Sequence, residues 1–148
     1  MNYSHGEYII STDKSILDIP YIQQYLTRSY WAEGIPVETV KRAVEGSLCF
    51  GVYHHDRQVG FARVVTDAST FAYLADVFID EKHRSKGLSK WLMQIIMDHE
   101  SLQGLRRFML ATRDAHGLYK QFGFTPLTNP ERLMQIVVPD IYKKNKKA

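Results

Sequence analysis

The stretch VFIDEKHRSKGLSKWLM, Val77–Met93, decides the fold of this 148-residue chain. An apolar run, Thr70–Ile79, ends inside it, as expected of a strand that is covered on both faces. An amphipathic run follows, and its apolar side chains recur at the spacing of a buried helix stripe: Leu88, Trp91, Leu92, Ile95 and Ile96. A strand, a basic turn and a long helix are therefore predicted in immediate succession.

The turn between that strand and that helix has the composition of an anion site. A helix N-terminus leaves its first N–H groups unpaired and carries partial positive charge. Arg84 and Lys86 add formal charge there, and Gly87 lets an oxygen approach the backbone closely. Ser89 offers a hydroxyl donor. These residues predict phosphate binding, although an ordinary solvated turn has the same composition. The glycine spacing fits neither a dinucleotide fingerprint nor a P-loop.

Strand-like and helix-like runs alternate along the rest of the chain. Five further strands are predicted: Glu7–Ser11, Ser47–Tyr53, Gln58–Val65, Phe108–Thr112 and Leu133–Val138. Helices are predicted to start at Asp18 and at Pro36, and a short one covers Ala115–Phe122. This order predicts an α/β or α+β fold of three layers, with helices packed on both faces of a mixed sheet.

The length of 148 residues suits one domain with a single core. The formal net charge of +3 is compatible with an anionic ligand but is too small to imply nucleic acid. Cys49 is the only cysteine, which excludes an internal disulfide. No signal-peptide order and no membrane-length apolar run is present, so we expect a cytoplasmic protein with no membrane partner. The domain is predicted over residues 1–142, followed by a flexible basic tail over residues 143–148.

The quoted stretch resembles the acetyl-coenzyme A motif of the GNAT superfamily of N-acetyltransferases. That motif runs from strand to loop to helix, and its loop has the pattern Arg/Gln-x-x-Gly-x-Gly/Ala. Arg84, Gly87 and Ser89 fill the three positions, with Ser in place of Gly or Ala. A second stretch, Thr112–Phe124, is similar to the family's later segment, in which a short helix ends in Tyr-x-x-x-Gly-Phe. Its tyrosine is Tyr119.

The resemblance implies a mostly antiparallel sheet whose fourth and fifth strands splay apart to hold acetyl-coenzyme A. In this sequence those strands are Thr70–Ile79 and Phe108–Thr112. Pantetheine would hydrogen-bond to the backbone of three residues: Val77, Phe78 and Ile79. The pyrophosphate would lie on the N–H groups of the turn: Arg84, Ser85, Lys86, Gly87, Leu88, Ser89 and Lys90. Asp114 stands near a position where many members carry a coenzyme-binding Asn.

The implied chemistry is direct attack of a neutral amine on the thioester, followed by departure of the coenzyme thiolate. Tyr119 occupies the family position of the group that protonates this thiolate; the alternative is a plain core aromatic. Asp76 is the one charged residue within its apolar strand, and burial of a carboxylate favours its use as a base. A salt bridge with Arg63, or a place in a β-bulge, is the competing interpretation. His116, His54 and His55 are alternative bases.

The acceptor site is predicted in the connection between the first two helices. Tyr30 and Trp31 are predicted to present aromatic faces to a cationic amine, and Glu33 a negative charge. Arg63 is also a predicted substrate-binding residue. A small-molecule or peptide amine is the expected acceptor, and the chain is expected to be a monomer or homodimer. The sequence has no His/Cys cluster with the spacing of metal ligands, so no metal is predicted. The rival functions are a non-catalytic acyl-coenzyme A sensor and a nucleic-acid-binding domain that uses the basic tail.

Overall fold

The computed structural model describes residues 1–145 and shows a six-stranded sheet with helices on both faces. The strands are β1 (Asn2–His5), β2 (Tyr8–Ser11), β3 (Leu48–His54), β4 (Arg57–Thr66), β5 (Phe71–Ile79) and β6 (Arg107–Leu110). The helices are α1 (Ile19–Leu26), α2 (Val37–Glu45), α3 (Leu88–Asp98), α4 (His116–Lys120) and α5 (Ile141–Asn145). The strands lie side by side in chain order, and only β5 and β6 are parallel. The predicted fold class is confirmed.

Two apolar cores lie on opposite faces of this sheet. The buried stripe of α3 packs on one face against Phe50, Val52 and Val64. The apolar sides of α1 and α2 cover the other face, where they meet Phe61 and Phe78. Neighbouring residues of β4 point into different cores, as the alternation of a strand requires. Within the described residues, no helix is both long and apolar enough to cross a bilayer.

A β-bulge at Asp76 reverses this alternation halfway along β5. The β4–β5 register shifts between Phe61 and Arg63, and Asp76 has a left-handed φ of 56°. Before the bulge, Ala72 and Leu74 face the α3 core, and after it Phe78 faces the α1–α2 core. One extra residue moves every later side chain to the other face of the sheet. The bulge therefore determines which side chains of β5 surround the cleft.

The C-terminal segment differs from the predicted one. Leu133–Val138 forms no strand, and its side chains are exposed. The apolar pattern of this segment predicts a strand, but among the described residues no neighbouring strand pairs with it. The predicted tail also differs at its start, since α5 continues to Asn145 and Lys143 pairs with Glu33 at 3.0 Å. The rest of the tail, residues 146–148, lies outside the described residues.

Exposure of Leu133–Val138 gives a direct stability prediction. Ile136 is 97% exposed and Ile96 of α3 is 0% exposed. We expect Ile136→Ala to change the free energy of unfolding by no more than about 0.5 kcal/mol. Ile96→Ala should cost about 2–5 kcal/mol, because it leaves a cavity in the core. Urea unfolding of both variants is the measurement. A loss above about 1 kcal/mol for Ile136→Ala would show that the segment is packed.

Candidate active site

The parallel strands β5 and β6 separate into a cleft of about 1000 Å³. They pair only from Phe71 opposite Arg107 to Leu74 opposite Leu110. Beyond this point β5 continues to Ile79 without β6, while the chain after β6 turns away into α4. Helices α1 and α2 close the cleft on one side, and its volume is at the upper end for small-molecule sites.

The half of β5 beyond Leu74 has an open backbone edge on the cleft side. Val77, Phe78 and Ile79, the residues predicted to contact pantetheine, all line the cleft. The side chain of Phe78 is buried and stacks on Tyr25, with the ring centroids 3.8 Å apart. The Ile79 carbonyl already accepts a hydrogen bond from Arg84 Nε at 3.0 Å. Packed side chains and an open backbone edge therefore coexist in this strand.

The turn before α3 presents a row of unpaired backbone donors. Among the described residues, no hydrogen bond is formed by the backbone N–H groups of residues 85–90. Ser85 and Gly87 have left-handed φ values of 65° and 77°, conformations that occur in anion-binding backbone nests. Of the predicted residues in this turn, only Arg84 and Ser89 line the cleft itself. Leu88 differs from the others because its side chain lies in the core.

The exposed Arg84 side chain bonds back to two elements of the fold. Its guanidinium donates to the Ile79 carbonyl and, at 2.9 Å, to the Tyr25 hydroxyl. These two bonds tie the turn to β5 and to α1. Arg84 therefore fixes the position of the turn as well as contributing its charge.

Tyr119 lies in the wall of the cleft, at the end of α4. It is 9% exposed and packs edge-on against Phe124, with ring centroids 6.0 Å apart. Its hydroxyl forms no hydrogen bond with any described residue. Burial raises the pKa of this phenol, and the nearby Tyr30 and Asp114 raise it further. Tyr119 is therefore both a core aromatic and a protonated donor that faces the cleft.

Asp76 lies in the cleft between two hydrogen-bond donors. Its carboxylate accepts from Arg63 Nε at 2.8 Å and from Trp31 Nε1 at 2.9 Å. Arg63 also donates to the Ser47 hydroxyl at 3.1 Å. The salt bridge and the β-bulge considered from the sequence are both present. Asp76 thus joins the sheet to the loop after α1, and each of its oxygens keeps one lone pair for a proton.

Removal of Asp76 should destabilise the fold. Arg63 and Asp76 are only 19% and 11% exposed, so Asp76→Ala leaves a largely buried cation unpaired and places Ala at a left-handed φ. We expect a loss of about 2–4 kcal/mol in the free energy of unfolding. Glu38→Ala, which removes the exposed pair with Lys41, should cost under about 0.5 kcal/mol. Equal losses in urea unfolding would contradict a structural role of the Arg63–Asp76 pair.

The predicted acceptor residues are only partly brought together. Tyr30, Trp31 and Arg63 line the cleft, and the rings of Tyr30 and Trp31 meet edge-on at 5.2 Å. Glu33 does not line it, because it pairs with Lys143. One face of Tyr30 is covered by the Arg113 guanidinium, 3.8 Å from the ring centroid. The aromatic face of Tyr30 that was expected to contact a cationic amine is therefore already covered by a cation of the protein.

The candidate histidine bases lie outside the cleft lining. His54 Nε2 lies 3.1 Å from Glu7 Oε2, and His55 is exposed in the β3–β4 turn. His116 is exposed at the start of α4. In the described part of the chain, Glu7, His54 and His55 bring possible metal-ligand atoms within 4.8 Å of one another, a cluster that the sequence did not predict.

Three residues of the cleft were missed at the sequence level. Tyr25 accepts a hydrogen bond from Arg84 and stacks on Phe78. Arg113 stacks on Tyr30. Thr112 accepts a hydrogen bond from the Ala115 N–H at 3.0 Å and so shapes the loop before α4. Thr112 and Arg113 lie two and three residues after the end of β6 at Leu110, and ligands bind outside the carboxyl ends of parallel strands. That position was the available signal for both of them.

Comparison with known proteins identifies the family and the fold. A family model described as an acetyltransferase (GNAT) domain matches residues 45–126. A curated protein of Gibberella zeae, provisionally named an acetyltransferase, is 34% identical over 141 residues, which cover 80% of this chain and 78% of the relative. A solved structure from Xanthomonas campestris pv. campestris, assigned to the GNAT family, is 51% identical, with a TM-score of 0.91. It covers 94% of this chain and 99% of the other.

Two more distant solved structures share the fold and contain the coenzyme. An acetyltransferase from Clostridium acetobutylicum with acetyl-CoA has a TM-score of 0.63 at 13% identity, over 88% of this chain and 94% of the other. N-acetylglutamate synthase from Neisseria gonorrhoeae, in complex with coenzyme A and N-acetylglutamate, has a TM-score of 0.67 at 18% identity. That match covers 97% of this chain and 33% of the other.

The open parallel pair and the turn at its end are thus those of a transferase fold. The chain belongs to the GNAT acetyltransferase family, which confirms the resemblance seen in Val77–Met93.

Proposed function

We propose that this protein transfers the acetyl group of acetyl-coenzyme A to a primary amine of a small molecule or peptide. The supporting observation is that three features lie in or beside one cleft. These are the open edge of β5, the unpaired N–H groups of residues 85–90, and the unpartnered phenol of Tyr119. Members of this family use acetyl-coenzyme A, and two of the distant neighbours contain acetyl-CoA or coenzyme A.

The coenzyme would bind along the cleft in an extended form. The amides of its pantetheine arm would pair with the backbone of Val77–Ile79, much as an added strand pairs with a sheet edge. Its diphosphate would accept hydrogen bonds from residues 85–90 at the N-terminus of α3, where the helix dipole also favours negative charge. Arg84 would hold this turn against β5. Asp114, which lines the cleft, would lie near the arm.

The chemistry would be a single acyl transfer. The lone pair of a neutral amine attacks the thioester carbon, and a C–N bond forms as the C–S bond breaks. The bonding pair leaves with sulfur, and the Tyr119 hydroxyl donates a hydrogen bond or a proton to the thiolate. The amine nitrogen loses one proton, for which Asp76 is the proposed acceptor. The products are the N-acetyl amine and the free thiol of the coenzyme, so the net proton transfer is from nitrogen to sulfur.

Two measurements test this proposal. Isothermal titration calorimetry with acetyl-coenzyme A tests binding, and a thiol reagent follows release of free coenzyme in the presence of a panel of amines. Binding together with amine-dependent release supports the enzyme. Binding without release for any amine would favour the non-catalytic acyl-coenzyme A sensor, and the absence of binding would remove both functions.

A further inference from the structure

The acceptor end of the cleft contains a cation that the described residues do not neutralise. The Arg113 guanidinium lies flat over the Tyr30 ring, and Arg113 forms no ion pair with any described carboxylate. The next residue, Asp114, is acidic and lines the same cleft, but it forms no ion pair with Arg113. The guanidinium is therefore available to a ligand.

The other cationic side chains near this position already have partners. Arg63 is bound to Asp76, and Lys143 is bound to Glu33. Arg84 bonds to the Ile79 carbonyl and the Tyr25 hydroxyl, and in the proposed function it would serve the diphosphate end of the cleft. Arg113 is thus the cation at the acceptor end that remains unneutralised in the described part of the chain.

The stacked position of Arg113 suits one kind of ligand group. A guanidinium that lies flat on an aromatic ring still has its N–H edge free, and that edge matches the two oxygens of a planar carboxylate. Contact with the ring also limits the rotamers of the arginine, so less entropy is lost when it binds. A second cation, such as the amine itself, would be repelled from this position.

We propose that the acceptor amine carries a carboxylate, as an amino acid does, and that Arg113 stacked on Tyr30 binds this carboxylate through two N–H groups. This inference rests on the proposed function. Tyr30 adjoins Trp31, and Trp31 is hydrogen-bonded to Asp76, so the carboxylate site and the proposed base line the same cleft.

Matched pairs of amines test the inference. Each common L-amino acid is assayed beside its primary amide, with thiol release as the readout. The amide has the less basic amine and so contains more of the neutral nucleophile at a given pH. A higher kcat/KM for the acid would therefore come from its carboxylate. We expect at least one acid to exceed its amide by tenfold or more.

Variants of Arg113 separate the roles of the carboxylate and of the coenzyme. Arg113→Gln should raise KM for the preferred acid at least tenfold while leaving rates with amides and affinity for acetyl-coenzyme A unchanged. Arg113→Lys should recover only part of the loss, because an ammonium lacks the planar fork. Arg57→Gln, in the exposed β3–β4 hairpin, is the control and should behave as the parent protein.

The failures of the two proposals are distinguishable. Amides acetylated as fast as acids, or no acid acetylated at all, would overturn the carboxylate site. The carboxylate site would also be overturned if Arg113→Gln bound acetyl-coenzyme A more weakly and lost the same factor in rate with acids and with amides. Arg113 would then serve the coenzyme. If the parent protein does not bind acetyl-coenzyme A in calorimetry, the proposed function itself fails.

Discussion

Tyr119→Phe should lower kcat by about 100-fold or more while leaving the affinity for acetyl-coenzyme A nearly unchanged. The substitution removes one hydroxyl that has no hydrogen-bond partner among the described residues, so packing against Phe124 is retained. What is lost is the donor that would meet the leaving thiolate. The measurements are kcat from thiol release and the dissociation constant from calorimetry.

Tyr53→Phe is the matched control for this variant. The Tyr53 hydroxyl is also buried without a partner in the described structure, but Tyr53 does not line the cleft. Its removal should leave kcat unchanged and should not destabilise the protein, because no hydrogen bond is broken. Equal rates for Tyr119→Phe and Tyr53→Phe would exclude Tyr119 from the chemical step, provided that product release does not limit turnover.

The pH dependence of kcat provides a second check on Tyr119. Burial, together with Tyr30 and Asp114, raises the pKa of its phenol above the ordinary value of about 10. A raised pKa keeps the proton on the phenol at neutral and moderately alkaline pH. We therefore expect no fall in kcat from loss of this donor below about pH 10. A loss near pH 8 that disappears in Tyr119→Phe would contradict this assignment.

Gly87→Glu should weaken acetyl-coenzyme A binding by about 100-fold or more, which corresponds to about 2.8 kcal/mol. Gly87 has a φ of 77° at the N-terminus of α3, and nothing lies within 4 Å of the position that a Cβ would take. The carboxylate would therefore be accommodated without a clash, but it would repel the diphosphate and compete for the same N–H groups. Calorimetry with acetyl-coenzyme A measures the change.

Two variants separate charge from backbone strain at Gly87. Gly87→Ala has the same left-handed φ but no charge, and should weaken binding by about tenfold at most. Gly104→Glu repeats both the strain and the charge away from the cleft, since Gly104 has a φ of 69° and equally open surroundings. It should bind the coenzyme as the parent does. Unchanged affinity in a folded Gly87→Glu variant would refute the diphosphate site.

Local sequence patterns predicted most of the fold. The strand–turn–helix order around Val77–Met93, the β3–β4 hairpin and the buried stripe of α3 all appear in the structure. Among the strands, two differ from the prediction, for different reasons. β1, Asn2–His5, has no alternating apolar pattern and forms by pairing with β2. Leu133–Val138 has a strong apolar pattern but no partner strand in the described residues.

The candidate site was predicted less completely because its side chains meet across long separations. Trp31 and Asp76 are 45 positions apart, and Tyr30 and Arg113 come from opposite walls of the cleft. From the sequence we expected Tyr30 and Trp31 to contact an amine. In the structure, the Arg113 guanidinium covers one face of the Tyr30 ring. No pattern around residue 30 indicates which side chain will cross the cleft to reach it.

The sequence alone determined the type and order of the elements around the cleft, because helix and strand periodicities are properties of neighbouring residues. It also determined the donor-rich turn at Arg84–Lys90, since unpaired N–H groups follow from any helix start. The tertiary structure decided which side chains face one another: the bulge at Asp76 reversed the faces of β5, and packing of α1 and α2 brought Tyr30 to Arg113. These contacts depend on the angles and distances between packed elements, which no local periodicity encodes.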